Sequence, residues 1–358
     1  MKNNQLVKQF SPMWFAVSMG IGGFTLVIYQ MSSMISFFKI IAIILAVFNL
    51  LVFITMLIPW TIRWFSHKES VNQDIKHPVS SNFFITMPVG LMLIGLQMVM
   101  IGSPYFGMII SMNIALIIWF FGVILALIFS VATTFNMMRN DSISPELTNF
   151  SWFISPVATI VVPLLGNNLV KYFFANNIAL ATFINLIDIS FFGIGIILFM
   201  VLISIVMNRF LLHKMPGSMI LPSFWILLGP VGVGTVSLLG LAETNTLLGW
   251  ISSSEGLNIL AYILWGFGIW AFSLLIVVSI YYIKSGKIPF SLSWWAFIFP
   301  LSAYSLSTLN LFHMTQVIVI KYYLFLLVFI LIILFIVTIS LTIKGVINKK
   351  LLYPNRNN

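Results

Sequence analysis

The stretch Ser293-Trp294-Trp295-Ala296-Phe297-Ile298-Phe299-Pro300 opens a hydrophobic segment with two adjacent aromatic residues and then interrupts it with a proline. The first aromatic of such a pair occurs at positions 14, 83, 152, 224 and 294, so the intervals are 69, 69, 72 and 70 residues. A spacing this constant is the mark of an internal repeat. The other four copies are Trp14-Phe15 before Gly20, Phe83-Phe84 before Pro88, Trp152-Phe153 before Pro156, and Phe224-Trp225 before Pro230.

The composition predicts that the repeats lie in a membrane. Hydrophobic residues make up 61% of the chain and charged residues 7%, whereas a soluble domain carries roughly 25% charged residues. The 358 residues accommodate about ten spans, since each needs roughly 20 residues. Cysteine is absent, which excludes disulfides and thiolate ligands for metals.

Ten apolar segments can be read along the chain, two per repeat. We predict an all-α integral membrane protein with a single transmembrane domain over residues 1–358 and short cytoplasmic tails at both ends. Odd-numbered segments are shorter and contain Gly, Pro, Ser and Thr, whereas even-numbered segments are longer and consist mainly of Ile, Leu, Phe and Val. The predicted spans are 11–31, 35–64, 78–103, 107–138, 152–172, 175–209, 220–243, 256–283, 292–312 and 316–346.

This contrast predicts where each helix lies. Lipid cannot satisfy backbone groups that a helix break sets free, so an interrupted helix belongs inside protein or along a wet cavity. A plain apolar helix can face lipid and take up extra length by tilting. We therefore predict five inner helices around a central pore and five outer ones, with close packing of small residues as the plainer alternative. The expected pore-lining kinks are Gly20, Pro88, Pro156, Pro230 and Pro300.

The distribution of charge predicts the orientation. The formal net charge is +10, but the basic residues form no cluster of the kind that binds nucleic acid. If the amino terminus is cytoplasmic and the ten spans alternate, 14 of the 17 Lys and Arg residues lie on the cytoplasmic side. This asymmetry fits the positive-inside rule and predicts a multi-pass protein of the cytoplasmic membrane with both termini inside.

Few ionisable residues fall within the spans. Asp188 lies in the sixth segment beside Asn185, and it is either a proton-coupling group or a hydrogen-bonded strut between hairpins. Lys171 ends an inner segment on the outer side. There it either concentrates anions at the pore mouth or simply extends to the lipid headgroups.

The predicted pore therefore has hydroxyl groups, backbone dipoles and aromatic rings as its lining. Helix ends and free amides favour anions, and we expect no carboxylate in the lumen that would attract cations. Phe299 precedes a break, so its ring is either a hydrophobic plug or part of the packed wall. The candidate hydroxyl residues are Ser18, Thr25, Thr86, Ser155, Thr159, Thr235, Ser302 and Ser305.

The sequence offers no residues for catalysis. The four histidines fall at segment ends, where paired haem ligation is not expected. It contains no zinc-protease, Walker or dinucleotide-binding motif. We expect no catalytic residue, cofactor or metal site, although a subunit of a membrane redox complex remains a third class of protein to test.

The order and spacing of four motifs are similar to the slow-type anion channel, tellurite-resistance and C4-dicarboxylate (malic acid) transporter family. The similarity extends from about residue 10 to residue 346. The motifs are the 294–300 stretch, Ser11-Pro12-Met13-Trp14-Phe15 leading to Met19-Gly20, His77-Pro78 leading to Phe83-Phe84, and Pro222-Ser223-Phe224-Trp225 leading to Gly229-Pro230.

The resemblance implies a homotrimer whose protomers each contain a five-helix pore, occluded by the ninth-helix aromatic, here Phe299. It also implies small inorganic or organic anions as substrates. We therefore expect a passive anion channel or exporter. The alternative is a proton-coupled carrier of C4-dicarboxylates, or sulfite- or tellurite-linked efflux. The chain departs from the family pattern at Gly20, where only glycines interrupt the first inner segment, and the inner spans contain no Arg to clamp a dicarboxylate.

Overall fold

The computed structural model describes residues 2–139, 145 and 147–353, with the backbone alone at residues 2–4. The regular elements of this part of the chain are all helical, which confirms the predicted all-α class. The long helices are α1 (Pro12–Met31), α2 (Phe38–Ser66), α3 (Ser80–Phe106), α4 (Met108–Met138), α5 (Phe150–Phe174), α6 (Ile178–Leu212), α7 (Ser218–Leu247), α8 (Glu255–Ser285), α9 (292–315) and α10 (Ile318–Ile347).

Odd-numbered and even-numbered helices differ sharply in burial. In the apolar 18-residue windows of α1, α3, α5 and α7, between 78% and 89% of the residues are buried, against 22% to 33% for the even-numbered helices. Helix α9 belongs with the first group, because 15 of the 21 residues of Trp295–Thr315 are buried. The division into inner and outer helices is therefore as predicted.

The inner helices form a closed ring. Contacts run from α1 to α3, α5, α7 and α9 in turn, and from α9 back to α1. Each outer helix contacts the inner helix of its own repeat and also that of the next repeat, so it covers the groove between two neighbours. This arrangement leaves no edge of the ring open to lipid.

Within the described residues, nine helices are long and apolar enough to cross a membrane. Helix α9 is not among the nine, because hydroxyl side chains such as Ser302, Ser305, Ser307 and Thr308 lower its hydropathy. Their burial explains why this is tolerated, since the protein rather than lipid surrounds these groups.

The repeated aromatic pairs join the inner helices to the outer ones. The second aromatic of each pair is at most 3% exposed and lies against a ring of the outer helix that follows it. Such aromatic contacts contribute about 0.5–1.5 kcal/mol beyond the area they bury. The ring-centre distances are Phe15–Trp60 5.5 Å, Phe84–Phe129 5.9 Å, Phe153–Phe199 5.3 Å, Trp225–Phe272 6.2 Å and Trp295–Phe335 6.1 Å.

The expected mid-span breaks at the prolines are wrong in their position. Pro88, Pro156 and Pro230 are each the third residue of an α-helical section that follows a 3₁₀ turn, so the irregular backbone precedes them. First-turn amides lack an α-helical acceptor, which makes proline acceptable there. These sections are Thr86–Gln97, Ile154–Phe174 and Leu228–Leu247.

Neither Gly20 nor Pro300 ends a helix. Gly20 lies within Phe15–Met31 and Pro300 within Trp295–Thr315, and both helices continue past them. The irregular turn inside an inner helix lies instead in α3, where Met98–Gly102 is π-helical. This turn could not be foreseen from the sequence, because it contains a glycine but no proline.

Gly20 supplies space rather than a kink. A Cβ atom at this position would overlap with Cε3 of Trp295. The Trp295 indole is 1% exposed and donates a hydrogen bond of 3.1 Å to Thr342 Oγ1 of α10, so it cannot easily move aside. The glycine therefore lets the first and last inner helices meet and close the ring.

We expect Gly20→Ala to lower stability by about 1–3 kcal/mol, the usual effect of an added methyl group in a tightly packed interior. The measurement is thermal unfolding of the purified protein in detergent, followed by loss of the monodisperse species. Gly193→Ala is the matched control, because a Cβ at Gly193 of α6 meets no atom within 4 Å. Equal melting temperatures for the two variants would contradict this account of Gly20.

Candidate functional site

A small cavity lies inside the ring near the amino-terminal ends of the inner helices. Its volume is about 30 Å³, and every inner helix contributes to its wall. Met19, Thr86, Val157, Ile226 and Phe299 represent the five helices there. The wall is almost entirely apolar and contains no charged side chain among the described residues.

A large cavity lies at the carboxyl-terminal ends of the same helices. Its volume is about 350 Å³, and again all five inner helices contribute. Its polar wall includes Gln30, Asn168, Lys171, Glu243, Asn310 and His313. Because one cavity is bounded by the beginnings of the inner helices and the other by their ends, the five helices run in the same direction around a common axis.

The two cavities are separated by a closed apolar section. On α5 the small cavity reaches Val157 and the large one begins at Leu164, a separation of about 10 Å at 1.5 Å per residue. Val161 lies between them on the same helical face and is 1% exposed, as is Val233 at the corresponding level of α7. The structure thus has two cavities on a common axis with close packing between them.

Phe299 lies at the edge of the small cavity, inside the ring. Its side chain is 3% exposed, and its Cδ2 atom is 3.1 Å from the position that a Cβ on Gly23 would occupy. The phenyl group of Phe299 therefore rests against the backbone of α1. A side chain larger than hydrogen at Gly23 would compress it.

The predicted hydroxyl lining is largely absent from the two cavities. Of the predicted pore-lining hydroxyl residues, Thr86 is in a cavity wall, and it is joined there by Pro300. Thr25, Thr235, Ser302 and Ser305 donate to carbonyls of their own helices four residues earlier. Such bonding within a helix satisfies a buried hydroxyl without any lumen.

Three other predicted hydroxyl residues face outer helices instead. Ser18 donates to Asn49 Oδ1 of α2 at 2.8 Å. The Ser155 and Ser130 hydroxyl groups are hydrogen-bonded at 2.8 Å between α5 and α4. Thr159 Oγ1 lies close to Gly195 of α6. These contacts correct the prediction for Ser18, Ser155 and Thr159, and they show that sequence alone does not fix the direction of a side chain on an inner helix.

Buried amides form networks that the sequence did not reveal. Asn49 Nδ2 donates to Gln97 Oε1 at 3.3 Å, and Gln97 Nε2 donates to the Gly22 carbonyl at 3.3 Å. A second network joins α6 to the large cavity, since Thr244 Oγ1 lies 2.8 Å from Asn185 Oδ1 and 3.4 Å from Asn167 Oδ1. An amide in an otherwise apolar outer helix, as at Asn49, was the available signal.

Asp188 joins three helices. It is fully buried on α6, lies against the backbone of Gly166 on α5, and accepts a hydrogen bond of 3.1 Å from Trp119 Nε1 of α4. Its second oxygen, Oδ2, has no hydrogen-bond partner among the described residues. It lines neither cavity, so the contacts favour the strut of the two predicted roles.

Lys171 is not a free cation at the pore mouth. Its ammonium forms an ion pair with Glu243 of α7, and the two side chains are 46% and 63% exposed. Both line the large cavity. The expectation of a lumen without carboxylates is therefore wrong at this end. An ion pair this exposed contributes at most about 1 kcal/mol to stability.

A lipid-facing sheath around a closed ring, with a cavity at each end of the ring axis, defines a multi-pass membrane transport protein. Comparison with known families specifies the class. Residues 9–343 match the family described as SLAC1, voltage-dependent anion channel, and the chain belongs to that family of anion channels and transporters. The family consists of transport proteins rather than enzymes.

Two kinds of relative illustrate the similarity. An uncharacterized transporter of Methanocaldococcus jannaschii, MJ0576, is 34% identical over 317 residues, which cover 88% of each chain. A sulfite efflux pump, SSU1, of Trichophyton rubrum is 26% identical over 314 residues, which cover 84% of this chain and 81% of the pump. The similarity to both relatives extends over most of the chain.

The cysteine-free chain allows a direct test of the large cavity. We expect Asn310→Cys and Gln30→Cys to react with a membrane-impermeant methanethiosulfonate on the order of tenfold faster than buried controls, because only an accessible thiol ionises and reacts. Ser18→Cys and Thr25→Cys are the controls, since both positions are fully buried. Mass spectrometry of intact protein measures the rates. Similar rates at all four positions would argue against an accessible cavity.

Proposed function

We propose that the protein is a passive anion channel or exporter of the cytoplasmic membrane, gated by Phe299. The observation that carries this proposal is that Phe299 lies in the wall of the small cavity, inside the five-helix ring, and packs against Gly23 of α1. The relatives named as sulfite efflux pumps support small anions as substrates and export as the direction.

The polarity of the cavities supports anions over cations. The small cavity holds no charged side chain among the described residues, and the carboxylate of the large cavity is paired with Lys171. The large cavity adds amide donors from Gln30, Asn168 and Asn310. A pathway of this kind binds anions loosely and selects them mainly by size and by the cost of removing their water.

The orientation and assembly belong to the same proposal. The positive-inside asymmetry supports a cytoplasmic location for the small cavity and an external location for the large one. Met1 and residues 354–358, including Arg356, lie outside the described residues. We propose one transmembrane unit per protomer, and a homotrimer on the strength of the family resemblance. The exposed apolar faces of the outer helices suit lipid or a neighbouring subunit.

We expect Phe299→Ala to raise anion flux through proteoliposomes by on the order of tenfold, because removing an occluding ring lowers the barrier to passage and about 1.4 kcal/mol corresponds to a factor of ten. Efflux of chloride and of sulfite from loaded vesicles is the measurement. Phe297→Ala is the matched control, since Phe297 is buried two residues earlier and contacts Trp225 and Trp294 rather than the cavity.

Unchanged flux in a Phe299→Ala protein that elutes and melts like the parent would remove Phe299 from the gate. An equal increase in both variants would indicate general loosening of the ring.

The second candidate function is a proton-coupled carrier of C4-dicarboxylates, or a sulfite- or tellurite-linked exporter. One observation favours it: Asp188 is fully buried, and one of its oxygens has no hydrogen-bond partner in the part of the chain that the structure describes. A buried acid of this kind is a common proton site in transporters. For a dicarboxylate, however, the described inner helices offer no arginine.

Asp188→Asn separates the two functions. The amide keeps the size of the side chain and the acceptor for Trp119. If the protein is a passive channel or exporter, we therefore expect anion flux to remain within about twofold of the parent, which corresponds to a change in barrier well under 1 kcal/mol. Uptake is measured with and without an imposed proton gradient. Loss of gradient-driven uptake in Asp188→Asn, with passive flux intact, would favour the carrier.

A further inference from the structure

We infer that the large cavity is an anion-binding vestibule in which the Glu243 carboxylate competes, as a tethered anion, with incoming anions for Lys171. This inference rests on the proposed anion pathway and adds a specific control of its outer end. It assigns roles to two residues on neighbouring inner helices, Lys171 of α5 and Glu243 of α7.

The ion pair is accessible and separable. The Lys171 and Glu243 side chains keep 46% and 63% of their surface exposed although they are in contact. Both line the cavity wall. A dissolved anion can therefore reach the ammonium group, and it replaces a partner that is already largely hydrated.

The surrounding wall supplies further donors for an anion. Gln30, Asn310 and His313 line the same cavity, and their side chains have no hydrogen-bond partner among the residues that the structure describes. Asn168 Nδ2, by contrast, donates to the Leu164 carbonyl at 2.9 Å. The cavity thus offers one ammonium and several free polar groups from α1 and α9, which suits a small oxyanion or halide.

The charge state of the vestibule depends on the pair. Within the described chain, its oppositely charged side chains are Lys171 and Glu243, and their charges cancel. Removing the Glu243 charge leaves a net positive vestibule, and removing the Lys171 charge leaves a net negative one. The small cavity has no charged side chain in its described wall, so only the large-cavity end can change its charge through such substitutions.

The ion pair sets how strongly the vestibule attracts anions. An anion must displace the Glu243 carboxylate to bind the Lys171 ammonium, so it gains less from the vestibule than it would from Lys171 alone. The pair therefore keeps the local anion concentration below the value that an unpaired ammonium would set. In a passive pathway this fixed charge pair changes uptake and release by the same factor, so it controls the size of the flux and not its direction.

The test measures the electrostatic potential of the vestibule independently of transport. Asn310→Cys serves as the reporter in the full-length, otherwise cysteine-free protein. The ratio of its reaction rates with anionic and cationic methanethiosulfonates is determined with Glu243→Gln, with Lys171→Gln and with both changes. At roughly 0.01 M salt the Debye length is about 30 Å, and at roughly 1 M it is about 3 Å.

We expect Glu243→Gln to raise the ratio of anionic to cationic reaction rates by on the order of fivefold at low salt. This is the size of effect expected when a charged reagent no longer interacts with one unit charge in the same cavity. Lys171→Gln should lower it by a similar factor, and the double variant should restore the parent ratio. The effects should shrink to less than about twofold at high salt. In vesicles at low salt, Glu243→Gln should raise chloride uptake and chloride release by the same factor.

An unchanged ratio in Glu243→Gln at low salt would overturn the inference, as would a change that persists undiminished at high salt, because that would reflect rearrangement rather than charge. The proposed function fails separately. If the ratios change as expected but neither the parent nor Phe299→Ala passes anions, the vestibule stands and the anion pathway does not.

Discussion

The fold depends on keeping polar groups of the inner helices away from lipid. A hydrocarbon environment offers no hydrogen-bond partner, yet α9 alone buries Ser302, Ser305, Ser307 and Thr308. The outer helices remove this conflict because each covers the groove between two inner helices. The repeated aromatic residue at each 3₁₀ turn holds the outer helix in place, so one sequence feature recurring about every 70 residues maintains the shielding around the whole ring.

Within that shield the ring is closed in its middle and encloses a cavity toward each end. Glycines make the tight contacts possible: Gly20 accommodates Trp295, and Gly23 accommodates Phe299. Valines such as Val161 complete the closed section. Since the cavities differ about tenfold in volume and also in polarity, the pathway is symmetric in its fivefold repeat but asymmetric along its axis. On the proposed anion pathway, that asymmetry gives an anion different surroundings on each side of Phe299.

The architecture was predictable from sequence because membrane helices must be apolar and the repeat is regular. The inner and outer assignments followed from the different residues that lipid and protein tolerate. Side-chain direction was not predictable: Ser18 and Thr159 point to outer helices, since small hydroxyl residues suit helix contacts as well as a lumen. The ion pair of Lys171 was not predicted because its partner Glu243 lies 72 residues away in sequence. Only the closure of the helix ring brings the two side chains together. The predicted helix breaks at the prolines were wrong because a proline in the first turn of a helix cannot be distinguished in sequence from one that kinks it.

The sharing of each outer helix between two repeats extends across the junction of α10 with α1. The last repeat therefore meets the first as the others meet one another, and no repeat is structurally terminal. Because the ten long helices of the described chain alternate in direction, the beginning of α1 and the end of α10 lie on the same side of the ring. A circularly permuted gene, with a linker joining these ends and new termini between Gly286 and Ser291, would encode the same set of helix neighbours.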